Sequence, residues 1–155
     1  MSTQRRGFTM VEAIIVVAVL AVIAATGGPH IAAALQSRTS ASAADQFVLV
    51  HSLTRATAIR YGRVAQLHID ASNRMFWVDV DTSATGAGQR ATISYVRNLT
   101  GDGLNMTSTR TLLCFDARGI PSTLGSCEAG DAQVVFSDGA RADTINTTAL
   151  GKVLR

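Results

Sequence analysis

Aromatic side chains make up only 5% of the 155 residues, with a single tryptophan, yet the mean hydropathy is +0.23. The apolar character therefore comes from aliphatic residues, and much of it from one N-terminal run. Cysteine is equally scarce. Cys114 and Cys127 allow one pairing, and their spacing excludes a C-x-x-C redox or zinc motif. Neither sign of charge dominates. The formal charge is +3, but setting aside Arg5 and Arg6, which precede the apolar run, takes 14 basic side chains to 12, against 11 acidic ones. So even a balance argues against a dedicated nucleic-acid binder. From Arg110 onward Arg110, Arg118, Arg141, Lys152 and Arg155 face Asp116, Glu128, Asp131, Asp138 and Asp143. The local group Arg141, Lys152 and Arg155 is what remains as a candidate nucleic-acid contact.

Catalytic and metal-binding patterns are also lacking. His30, His51 and His68 are scattered over three elements, with no cysteine or carboxylate at ligand spacing. No nucleophile-elbow sequence occurs, and Gly86-Ala87-Gly88 lacks the third glycine and the strand-to-helix setting of a phosphate loop. No catalytic residue, metal or cofactor is expected, and the chain does not read as an enzyme.

What is present stands at the amino end. Arg5-Arg6-Gly7-Phe8-Thr9-Met10-Val11-Glu12 runs directly into the uncharged stretch Ala13–Ala25. A carboxylate inside an apolar span costs about 2.5–3.5 kcal/mol even on lenient insertion scales, so Glu12 needs a partner and a purpose. An ordinary secretory signal peptide is the other reading, because Ala13–Ala25 has the length of its apolar region and the alanine-rich sequence beyond offers cleavage sites. Glu12, inside the apolar block that begins at Phe8, argues against it. Arg5 and Arg6 before the run fit the positive-inside pattern.

This block resembles the cleavage and methylation signal of type IV prepilins and type II secretion pseudopilins. The resemblance implies a leader, residues 1–7, cut after Gly7 by a prepilin peptidase that also N-methylates the new terminus at Phe8. It implies that Glu12, fifth in the mature chain, sets the register of one subunit against the next. Physically, its charge would meet the positive end of the helix dipole and a neighbour's terminal amine inside an apolar bundle, where an unmatched charge is costly.

Residues 8–35 read as a helix of about 42 Å, enough to cross a bilayer core. Gly27, Gly28 and Pro29 interrupt it, and a kink is expected there, since proline removes a backbone donor and glycine lowers helix propensity. Residues 36–61 continue as an amphipathic helix, with Phe47, Val50, Leu53 and Tyr61 recurring at three-to-four residue spacing and Gly62 as terminator. Beyond it, residues 62–155 turn to a period of two. Strands are expected at Val64–Ile69, Met75–Val80, Ala91–Val96, Arg110–Phe115, Gln133–Ser137 and Ala142–Thr147, with a last one near Lys152–Leu154. Asp138-Gly139 signals a tight hairpin. The fold expected is α+β, a long N-terminal helix packed on an antiparallel sheet.

Three later segments narrow the resemblance. Leu53–Gly62 with its Ala58-Ile59 pair, Cys114-Phe115-Asp116-Ala117-Arg118-Gly119, and the glycine-basic ending Leu150–Arg155 are similar to GspH/FimT-type minor subunits. Membership of that group implies a minor pseudopilin of a type II secretion pseudopilus, or else a minor pilin of a type IV pilus involved in assembly or DNA uptake. It implies a single-pass protein of the bacterial inner membrane with its C-terminal domain in the periplasm, and filament partners of its own kind. In an exported domain Cys114 and Cys127 should oxidise to a disulfide, two buried thiols being the other outcome.

Overall fold

A computed structural model describes residues 9–83, 88–94, 96–123, 127, 130–139 and 141–155, with side chains for all of these except 26–38. The elements are helix α1 (Met10–Tyr61) followed by strands β1 (Ala65–Asp70), β2 (Met75–Asp81), β3 (Arg90–Thr92), β4 (Arg97–Asn98), β5 (Asn105–Ser108), β6 (Leu112–Phe115), β7 (Ala132–Ser137), β8 (Ala142–Thr147) and β9 (Val153–Leu154). By contacts the chain divides into two compact units, Met1–Gln36 and Ser37–Arg155. Helix α1 contributes to both. Gly27, Gly28 and Pro29 fall within α1, in the stretch 26–38 that is described without side chains, and the kink expected there lies outside what the structure describes.

In the Ser37–Arg155 unit, α1 buries Ala43, Ala44, Phe47, His51, Thr54 and Ala58, a stripe at three-to-four residue spacing. Three alanines on that stripe let the helix backbone approach closely, and Phe47 fills the space between them. The helix ends as its sequence requires. Gly62 adopts φ 63°, and the amides of Gly62 and Arg63 donate to the carbonyls of Ile59 and Ala58 at 3.2 and 3.1 Å, a Schellman cap.

The strands form two antiparallel sheets where the sequence suggested one. The first runs β3-β2-β1-β6, with β4 also paired to β2; the second runs β5-β7-β8-β9. Phe47 joins them, its ring 5.5 Å from Phe76 on β2 and 6.0 Å from Phe136 on β7. The few aromatics are thus concentrated where edge-to-face packing adds to area burial.

Other boundaries also differ from expectation. The strand expected at Ala91–Val96 is cut short: β3 ends at Thr92 and β4 begins only at Arg97, beyond the expected range, and after β3 Ser94 Oγ, not a backbone carbonyl, takes the hydrogen bond from Val78 N at 2.8 Å. β5 was not foreseen, having only Met106 as a buried apolar residue. The strand expected from Arg110 begins at Leu112, after a turn in which Ser108 Oγ donates to Arg110 O at 2.6 Å. The Asp138-Gly139 hairpin forms as read, with Arg141 N donating to Asp138 Oδ1 at 2.7 Å.

Candidate functional site

The amino end of α1 is built from Thr9 and Glu12. Thr9 stands at the N-cap, and its hydroxyl accepts from Glu12 N at 3.2 Å. In return the Glu12 carboxylate accepts from Thr9 N at 3.3 Å and from Thr9 Oγ1 at 3.2 Å. This reciprocal pair is a capping box. It satisfies backbone donors that the first helical turn would otherwise leave open and sets a negative charge at the positive end of the helix dipole. Thr9 was not singled out from the sequence, although the T-x-x-E spacing ahead of an apolar run carries that signal. Gly7 and Phe8, the expected cleavage and methylation positions, lie outside the described residues.

From Met10 to Ala25 every residue of α1 is exposed, and apart from Thr9 and Glu12 at its start this stretch is apolar on all sides. Met10, Ala13, Ile14, Val17, Ala18 and Ala21 line a shallow concavity of about 430 Å³ with almost no polar surface. A helix that is hydrophobic all round belongs inside a protein core or a membrane. Among the described residues no helix is long and apolar enough to cross a membrane. Met10–Ala25 spans about 24 Å at 1.5 Å per residue, short of the ~30 Å hydrocarbon core. Phe8 and residues 26–35, the rest of the expected span, lie outside the residues described with side chains.

At the other end of α1 a loop is fixed against the helix. Cys114 and Cys127 are joined by a disulfide with Cα atoms 5.8 Å apart, and Gln66 Nε2 donates to Cys127 Sγ at 3.7 Å. The pairing expected of an exported domain is therefore present. Within the closed loop, Asp116 accepts from the amides of Ile120 and Arg118 at 3.0 and 2.9 Å and from the Arg118 guanidinium. Those hydrogen bonds, the Ile120 amide foremost, hold its carboxyl below the usual range. Arg55 of α1 donates through Nε to Gly119 O at 2.9 Å. Gly119 has φ 74°, a backbone conformation that strains any other residue, and a Cβ there would come within 2.9 Å of Ile59 Cδ1, which would have to turn aside.

His51 lies beneath this loop. It is 1% exposed, its ring meets Phe115 edge-on at 5.0 Å, and its Nε2 has no hydrogen-bond partner. Burial, reinforced by the Arg55 charge, lowers its pKa to about 4. His68 is on β1 and His30 falls among the residues whose side chains are not described. Among the described residues no group of three His, Cys, Asp or Glu side chains could hold a metal ion.

The three basic residues singled out as nucleic-acid contacts are not brought together. Arg141 precedes β8 and Lys152 lies beyond its far end, with Lys152 N bonded to Thr148 Oγ1, so a strand of about 20 Å separates them. Arg155 is already engaged, its guanidinium contacting Asp45 of α1 and, at 3.4 Å, Asp143 of β8. Ser40 Oγ donates to the other Asp143 oxygen at 2.8 Å. The C-terminal basic side chain thus ties β8 to the helix.

Residues 2–27 match the family described as the prokaryotic N-terminal methylation motif. No match is found among curated proteins. Among solved structures the chain is similar to the type IV minor pilin FimU of Pseudomonas aeruginosa, with a TM-score of 0.57 at 13% identity over 76% of this chain and 88% of that one. It is similar to the minor pseudopilin EpsH from the Type 2 Secretion System of Vibrio cholerae, with a TM-score of 0.56 at 12% identity over 74% of this chain and 94% of that one. At such identities the shared property is the fold, pilin-like and α+β; the methylation motif is read from this chain's own residues.

Proposed function

We propose that this chain is a minor pseudopilin of a type II secretion pseudopilus, a structural and not a catalytic subunit. In this reading prepilin peptidase cuts between Gly7 and Phe8 and methylates Phe8. Helix α1 then holds the protein in the bacterial inner membrane, with the disulfide-bearing domain in the periplasm, until it joins other pseudopilins. The observation that carries the reading is the bare apolar helix Met10–Ala25, with Glu12 in a capping box at its start and the whole stretch lying inside the match to the methylation motif. Such a helix needs partners on every side, and other copies of the same segment in a filament core supply them. Glu12 would exchange its bonds to Thr9 for a neighbouring subunit's terminal amine, a charge match that fixes register.

A minor pilin of a type IV pilus is the second reading, favoured by the likeness to FimU, which is as strong as the likeness to EpsH. Against its DNA-uptake version stand the separation of Arg141 from Lys152 and the engagement of Arg155. Intact mass of the membrane-extracted chain tests the shared part: the mature protein should begin at methylated Phe8, and a terminus near Thr26 or Ala32 would overturn both readings. Deletion of the gene then separates them, since loss of exported protein from the medium with surface pili intact supports the pseudopilus and the reverse supports the pilus.

A further inference from the structure

The solvent face of the β2-β1-β6 sheet carries an aromatic site that the filament reading leaves unused. Strand alternation turns Trp77, the only tryptophan of the chain, away from the core. The strand registers place Leu112, His68 and Trp77 in one line across β6, β1 and β2. The imidazole and indole rings are stacked, with centroids 4.9 Å and planes 2° apart. Asp79 fixes the indole: its Oδ2 accepts from Trp77 Nε1 at 3.3 Å and stands 3.2 Å from His68 Nε2, without the alignment of a hydrogen bond. The same carboxylate is fixed through its other oxygen by Thr92 Oγ1 at 2.7 Å. Burial outweighs the pull of Asp79 and lowers the pKa of His68, so the stack is uncharged at neutral pH. Held this way on a rigid sheet, the rings are ordered before any ligand arrives.

Beside the stack lies a groove of about 400 Å³, lined by Trp77, His68, Leu112, Asp70, Ser72 and Thr111 among others, a volume within the range of small-molecule sites. Its lining contains no cation, which disfavours phosphates and other anions. Asp70 is its one carboxylate; both oxygens accept from Asn73, at 2.9 and 2.7 Å, which fixes its orientation and leaves lone pairs to accept from a ligand hydroxyl. The remaining groups are flat apolar surface from the rings and Leu112, and hydroxyls from Ser72 and Thr111. A pyranose ring has the complementary make-up: one face of C–H groups and a rim of hydroxyls that both donate and accept.

We propose that this groove binds a neutral sugar unit of a glycan, seated against the His68–Trp77 stack and hydrogen-bonded by Asp70, Ser72 and Thr111. The proposal is independent of the filament reading. It is tested on the full chain in zwitterionic micelles free of sugar headgroups, with the emission of Trp77 followed during titration with maltotriose, cellotriose and chitotriose. At least one should give a saturable change, weakened about fivefold by Ser72→Ala or Thr111→Ala, as expected for one lost hydrogen bond to ligand. Trp77→Phe, followed by calorimetry, should bind that sugar more weakly still. No saturable response to any of the three sugars, a response that the hydroxyl variants leave unchanged, or a response to a lysine-rich peptide alone would overturn the proposal.

Discussion

Acid should loosen the Ser37–Arg155 unit through His51, and the size of the effect follows from the geometry around that ring. The imidazole is enclosed between α1 and Phe115, offers Nε2 to no acceptor, and lies near the Arg55 charge, so its pKa falls from 6.5 to about 4. Because the folded value is the lower one, the fold holds the neutral ring and unfolding takes up a proton. Above about pH 6.5 both states are neutral and His51 contributes no pH dependence. Between the two values stability falls with pH, by about 2 kcal/mol at pH 5 and about 3 kcal/mol by pH 4, and below that the loss is complete. Urea unfolding of the full chain in micelles at a series of pH values measures this, with His51→Leu as the control. Leucine keeps an apolar side chain at the site and titrates nowhere, so the gap between wild type and variant should widen in the variant's favour as pH drops. Taking the difference cancels Asp81 and Asp116, whose depressed values confine their own losses to more acidic solution. Parallel curves for the two proteins between about pH 7 and pH 4.5 would refute the argument.

Replacing Glu12 by alanine should leave membrane insertion intact or improved, since a charge leaves the apolar segment, yet impair co-assembly with other subunits; normal recovery of those subunits in a pull-down would contradict the register role. Exchange of both Cys114 and Cys127 for serine should cost about 3 kcal/mol in the chain-entropy account, read as a lower melting temperature with unchanged far-UV dichroism. Modification of both cysteines by a thiol reagent in the native, unreduced protein would show the bridge absent. Duplex DNA should bind weakly or not at all near physiological salt, because a phosphate footprint needs several uncompensated cations on one face. Gel-shift assays showing sub-micromolar binding that neutralising Arg141, Lys152 and Arg155 abolishes would reverse that expectation and favour a DNA-uptake pilus.

The sequence made some elements plain and hid others for identifiable reasons. Residues 40–61 announced a helix through the spacing of Phe47 and its neighbours, and Gly62 announced its end, because both signals are local. Strands β2 and β7 alternate clearly, since each buries one face, whereas β1 buries Ala65, Gln66 and Leu67 in succession. β5 could not be read, as Asn105, Thr107 and Ser108 are polar and Met106 alone faces inward. Beyond the end of β3 the Ser94 hydroxyl reaches Val78, a contact that only the fold creates. The division into two sheets was hidden because alternation gives the period of a strand and not its neighbour. At the candidate site, Glu12 stands out by its charge in an apolar run, whereas its bond to Thr9 follows from a T-x-x-E spacing that the charge argument does not use. The His68–Trp77 stack needs the β1–β2 register, which the turn alone did not supply.

The strand order carries a consequence for how the chain reaches this fold. β1 with β2 and β7 with β8 are hairpins of near neighbours in sequence, so each can close quickly after a short search. β6 instead returns to pair with β1 across more than forty residues, through Ala65–Phe115 to His68–Leu112, and contacts of that separation form slowly. The slow events should therefore be the return of β6 to β1 and the docking of the two preformed hairpins around Phe47, the side chain that touches Phe76 in one and Phe136 in the other. Cys114 lies on β6 of the first sheet, and Cys127 stands ahead of β7 of the second. An oxidant acting early would tether β6 to the approach of β7 before the sheets meet, shortening the search, and a reduced chain would have to find the same arrangement unaided.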